Sequence, residues 1–133
     1  MKKLFVPHKI SILLRELGYD EECFTYWNEK GKLVAVGVRS LGSKNSELSD
    51  NFCSAPLYQQ VIDWLITNYR IFTQVTWYPQ IKSWIAESYF MDSGNWITTE
   101  KIKNKKLNRV LDISFFEIIE KIKKLEQIES NDE

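Results

Sequence analysis

The segment SAPLYQQVIDWLITNYRI, residues 54–71, constrains this chain more than any other stretch. At about 100° per residue, Leu57, Tyr58, Val61, Ile62, Trp64, Leu65, Ile66 and Tyr69 fall on one broad apolar arc. Gln59, Gln60, Asp63, Thr67 and Arg70 take the opposite side, and Asn68 alone intrudes on the arc. Ser54 is placed to cap this helix, and Pro56 is tolerated in its first turn. An arc this wide suits a helix lying across a sheet and touched at its flanks, so internal packing is its expected role. Its polar side, with Gln59, Gln60 and Asp63, is a candidate contact for a protein partner, although solvent is the simpler neighbour.

A helix of this kind needs a sheet, and the flanking sequence supplies strands. The run CFTYWNEKGKLVAVGV reads as a β-hairpin turning at Asn28–Glu29–Lys30–Gly31, with Gly31 at the positive-φ place. After the helix, IFTQVTWY alternates and predicts a half-buried strand ended by Pro79. QIKSWIAESYFM fits a helix or a strand; the turn signal Asp92–Ser93–Gly94–Asn95, with WITT beyond it, favours the strand. The first half of KIKNKKLNRV is expected to be a turn, and LNRVLDI a short edge strand whose lysines discourage unwanted pairing.

Two further helices are expected. Pro7–Leu17 places Ile10, Leu13, Leu14 and Leu17 on one face, with Gly18 releasing the chain. Near the end, Ser114 and Glu117 have capping-box spacing, and Phe115, Ile118, Ile119, Ile122, Leu125 and Ile128 make an apolar side. Between hairpin and central helix, RSLGSKNSELSDNFCS (39–54) reads as a flexible surface loop, and residues 129–133 as a frayed acidic tail. The fold class expected is α+β: a mostly antiparallel sheet of about four or five strands packed against two or three helices, in one domain spanning 1–133.

The charges restrict function. Eighteen basic residues balance eighteen acidic ones, which weakens non-specific attraction to nucleic acid without removing local patches. One such patch stands out: Lys101, Lys103, Lys105, Lys106 and Arg109 can meet phosphates, with Trp96 or Tyr89 to stack bases. Five tryptophans and six tyrosines also allow an exposed aromatic patch, so a protein partner or homodimer, with Trp96 among its contacts, is the expected partner. Nucleic acid is the alternative partner. MKKLF lacks the apolar run of a secretory signal and no segment reaches membrane-span length, so a cytoplasmic protein without membrane contact is expected.

Catalytic chemistry finds little support. Cys23, Cys53 and His8 match no compact metal-ligand spacing. Cys53 is the better nucleophile candidate because a helix follows it, but no oriented base accompanies it. Ser43, Ser46 and Ser49 lack a base as well, so a small hydrolase with its site in the 39–54 loop is only an alternative reading. Glu47 and Asp50 in that loop, and Asp20, Glu21 and Glu22 after Gly18, read as solvated acids. No catalytic, cofactor-binding or metal-binding residue is assigned.

The string FVPHKISILLRELGYDEECFTYWNEKGKL, followed by CSAPLYQQVIDWLITNYRI, resembles small uncharacterised proteins of Bacteroidetes and their phages or integrated elements. The matching pieces are Phe5–Val6–Pro7, Gly18–Tyr19–Asp20–Glu21, Cys23–Phe24, Gly31–Lys32–Leu33 and Ala55 to Leu65, covering about the first half of the chain, and the final helix is similar too. His8 departs from the family pattern. The resemblance implies a phage or mobile-element setting and supplies no functional residues; within that setting a non-catalytic accessory or protein-interaction role is expected.

Overall fold

A computed structural model describes residues 2–35, 44–92, 94–99 and 101–131, with the side chains of residues 2, 92, 95, 96 and 129–131 outside that description. The fold is α+β, with seven strands in two antiparallel sheets and three α-helices among the described residues. The strands thus divide between two sheets, where the sequence suggests one. The chain forms two compact units, Met1–Tyr58 with Ile119–Glu133, and Gln59–Ile118. Among the described residues, no helix is long and apolar enough to cross a membrane.

In the first unit, α1 (His8–Glu16) follows Pro7, whose φ of −56° suits the residue preceding a helix. Ile10 and Leu14 are buried, as the helical spacing predicts. Gly18 (φ 97°) ends the helix, and the Tyr19 N–H reaches back to the Leu14 carbonyl. β1 (Thr25–Trp27) then pairs with β2 (Leu33–Ala35) in the expected hairpin. Residues 36–38, read with that hairpin, lie outside the described residues. Asn28 accepts hydrogen bonds from the backbone of Lys30 and Lys32, which closes the turn.

Gly31 has two reasons to be glycine. Its φ is 74°, and a Cβ there would stand 3.1 Å from Nδ1 of His8, whose ring lies 5.8 Å from that of Trp27. Gly31→Ala is therefore expected to cost about 1–2 kcal/mol in urea unfolding. A loss below about 1 kcal/mol would contradict the left-handed backbone at this turn.

The 39–54 tract is more structured than its composition suggests. Residues 39–43 lie outside the described residues, but Asn45–Glu47 forms a 3-10 turn and Cys53–Ala55 forms β3, paired to β1. Buried Asn45 donates to the Tyr19 carbonyl and accepts from the Ser54 N–H. Arg15 donates to the carbonyls of Leu48, Ser49 and Phe52, and Asp20 accepts the Ser46 N–H. Side-chain hydrogen bonds over long sequence separations hold this tract, and its polar composition does not reveal them. Ser54 is consequently not a helix cap. It is a buried strand residue whose hydroxyl has no hydrogen-bond partner among the described residues. Phe5, Trp27, Cys53 and Ala55 form a core here, flanked by Leu33 and Leu57.

The second unit contains nearly all of α2 (Tyr58–Tyr69). Val61, Trp64 and Leu65 on its apolar arc are buried, while Gln59, Asp63, Thr67, Asn68 and Arg70 are exposed. Arg70 takes a left-handed φ of 56° without being glycine, and this turns the chain at once into β4 (Phe72–Tyr78). β4 pairs along its whole length with β5 (Ser83–Asp92), so residues 81–91 resolve to strand from Ser83 onward. β6 (Asn95–Thr98) and β7 (Ile102–Asn104) both pair with β5. Between Tyr89↔Thr98 and Ala86↔Ile102 the register differs by one residue. β4 is more open than its alternation suggests: Trp77 remains 42 % exposed beside Trp84.

Two expectations near residue 107 are corrected. Ile102–Asn104 is a strand and not a turn, and LNRVLDI opens α3 (Leu107–Asn131) instead of forming an edge strand. Val110, Leu111, Ser114, Phe115, Ile118, Ile119 and Ile122 are all buried and follow the helical period, so the apolar face begins a turn earlier than Ser114. Asn104 accepts the Lys106 N–H and stops the strand, while Ser114 lies mid-helix instead of capping it. Leu125 and Ile128 continue the pattern but are more than half exposed.

Candidate functional site

The outer face of the β4–β7 sheet carries exposed and half-buried polar, aromatic and cationic groups. Alternation along β5 puts Ser83, Ile85, Glu87 and Tyr89 on this face, and cross-strand pairing adds Phe72, Gln74, Thr76 and Tyr78 from β4. On the other flank, Lys103 is paired with Ile85 and shares the face.

Two adjoining concavities occupy it. The larger is an open hollow of about 470 Å³ lined by Ser83, Lys103, Asn104, Lys105, Lys106 and Arg109. Four of the five cations picked out from sequence therefore converge, although they come from a strand, the connection after it and the first turn of a helix. Among the described residues, no acidic side chain lines the hollow. Among the described residues, no carboxylate forms a salt bridge with Lys103, Lys105, Lys106 or Arg109. The start of α3 adds helix N–H groups at the same end, which favour negative charge.

The smaller concavity, about 120 Å³, is lined by Gln74, Thr76, Tyr78, Ile85, Glu87 and Tyr89. It adjoins the basic hollow because Tyr78 pairs with Ser83, and Ile85 with Lys103. Glu87 is oriented from two sides: Tyr89 donates its hydroxyl hydrogen at 2.6 Å, and Lys101 Nζ stands 3.3 Å from the other carboxylate oxygen. The Tyr89 hydrogen bond, helped by Lys101, holds the Glu87 pKa below the usual carboxylate value. The same hydrogen bond raises that of Tyr89. Lys101, the fifth cation, thus serves the smaller concavity and not the basic hollow.

The other candidates disperse. Gln59 donates to Asp63 at 3.0 Å along exposed α2, so the two satisfy each other on the helix surface. Gln60 is half-buried on the same helix. Trp96 belongs to β6, and its side chain lies outside the described residues. Cys53 sits in a buried strand and not before a helix, and burial pushes its thiol up to about 11, the opposite of an activated nucleophile. Cys23 is likewise buried, free and shifted upward by burial. Among the described residues, no group of three or more histidine, cysteine or acidic side chains is placed to hold a metal ion.

Sequence reasoning overlooked Ser83, Gln74, Thr76, Tyr78, Ile85, Glu87 and Asn104. Strand alternation assigns Gln74, Thr76 and Tyr78 to one face, but nothing in it says which face stays open. No family model, curated protein or solved structure matches the chain.

Proposed function

We propose that the outer face of the β4–β7 sheet binds single-stranded nucleic acid in a non-catalytic role, with phosphates held in the basic hollow. The carrying observation is the convergence of Lys103, Lys105, Lys106 and Arg109 on one concavity that no carboxylate of the described residues lines. Formal neutrality of the whole chain matters less than this local field, because counterions are displaced only where phosphates approach cations. A single strand suits the site better than a duplex. Residues lining the hollow pair with residues of an aromatic and polar sheet face, on which unstacked bases can lie. The buried, proton-bearing thiol of Cys53 and the packing of His8 on Trp27 support a binding role over hydrolysis at the 39–54 loop. The resemblance in the first half of the chain supports an accessory setting in phages or mobile elements.

Fluorescence anisotropy with a labelled strand of about twelve nucleotides, as DNA and as RNA of one sequence, tests the reading. Four phosphate contacts predict a slope of log K against log salt of about −3, and so roughly fifty-fold weaker binding at about 200 mM than at about 50 mM salt. A stronger RNA signal would assign part of the contact to the 2′-hydroxyl. Absence of binding to either strand at low salt would overturn the proposal and return the face to a protein partner.

A further inference from the structure

We infer that the concavity lined by Gln74, Thr76, Tyr78, Ile85, Glu87 and Tyr89 is a base pocket that prefers guanine. This inference rests on the single-strand reading of the neighbouring basic hollow. Lining residues of the two concavities are cross-strand partners, Tyr78 with Ser83 and Ile85 with Lys103, and paired side chains stand about 5 Å apart, so a base can enter one while its phosphate lies in the other. The smaller space has room for one planar heterocycle. Tyr78 and Tyr89 come from opposite ends of the β4–β5 pairing and offer aromatic surface, while Thr76 and Ile85 lie between them on adjacent strands.

Specificity comes from Glu87. An ionised carboxylate only accepts hydrogen bonds, and it has about four lone-pair positions. The Tyr89 hydroxyl and the Lys101 ammonium each engage one of its oxygens, so both oxygens retain accepting capacity and the group is held in place. Guanine presents two adjacent donors, N1–H and the 2-amino group, which match two carboxylate oxygens side by side. Adenine and cytosine offer one amino donor next to a ring acceptor, which would face the carboxylate charge. Uracil and thymine offer one N–H between two carbonyls. The acceptor-only edge therefore favours guanine. Gln74, on the facing strand, has both a donor and an acceptor for the remaining base edge.

The test uses the full chain and oligothymidylates carrying one central guanine, adenine or cytosine, read by anisotropy. The guanine strand is expected to bind about tenfold more tightly than the others. Glu87→Gln replaces one acceptor with a donor and is expected to abolish that preference, read as the ratio of affinities for the guanine strand and the all-thymidine strand. Tyr89→Phe keeps the ring but frees the carboxylate, and is expected to reduce the preference partly. Equal binding of all strands, or a guanine preference that survives Glu87→Gln, would overturn the base pocket and leave the phosphate site standing. If no strand binds at all, the phosphate site is overturned, and the base pocket with it.

Discussion

Replacing Lys103, Lys105, Lys106 and Arg109 together with glutamine is expected to weaken single-strand binding on the order of several thousandfold at about 50 mM salt. Each cation that neutralises a phosphate releases condensed counterions, worth nearly a factor of ten per contact at that salt. The salt slope should fall by about 3 at the same time, since the lost contacts are the source of the dependence. Glutamine keeps the reach of the side chains and suits a helix, so α3 should form as before. A control removes the same charge elsewhere: Lys9, Lys30, Lys32 and Lys124 are exposed and lie outside the second unit. Changing those four to glutamine should alter affinity by only a few-fold. Equal losses in both variants would show that net charge, and not the hollow, governs binding.

The largest effect on stability is expected at Phe115. The side chain is completely buried, at 0 % exposure, and lies between the buried residues Ser114 and Ile118 on the inner face of α3. Phe115→Ala removes a large apolar group and leaves a cavity, so it should lower the unfolding free energy by about 3–5 kcal/mol. That is a large share of the stability of an ordinary domain. Phe116, its neighbour in sequence, is 44 % exposed, and Phe116→Ala should cost less than about 1 kcal/mol. Urea titrations of the two variants check the register of the helix. Equal losses at both positions would contradict the observed face.

Phe115 also shows what could be read from sequence. The period that buries it, with Ile118, Ile119 and Ile122, was visible in the helical spacing. The start of the helix was not. Val110 and Leu111 belong to the same face, but the basic run and the capping-box signal at Ser114–Glu117 favoured a later start. Here continuous burial of one face outweighed a local capping pattern. The loop before β3 fails as a reading for a related reason. Asn45 and Arg15 act across 26 residues and more than 30 residues respectively, and no local window contains both partners of such bonds.

The functional face divides in the same way. Lys101, Lys103, Lys105, Lys106 and Arg109 stood out as a charge run, and Tyr89 as an aromatic beside it. Their division into a basic hollow and a Glu87-centred pocket did not. That division depends on β5 pairing with β4 on one side and β7 on the other, with a one-residue slip between β6 and β7.

By itself, the sequence determined the three helical faces, the turns at Gly18 and Gly31, and the α+β class. These follow from side-chain period and from backbone angles that a few residues favour, and both are properties of neighbours along the chain. Tertiary structure alone decided that there are two sheets, that Cys53 and Ser54 are buried, and that cations from β7 and α3 converge beside Glu87. Those outcomes depend on strand register and on hydrogen bonds between distant residues, whose energies arise only once the chain has closed the loops between them.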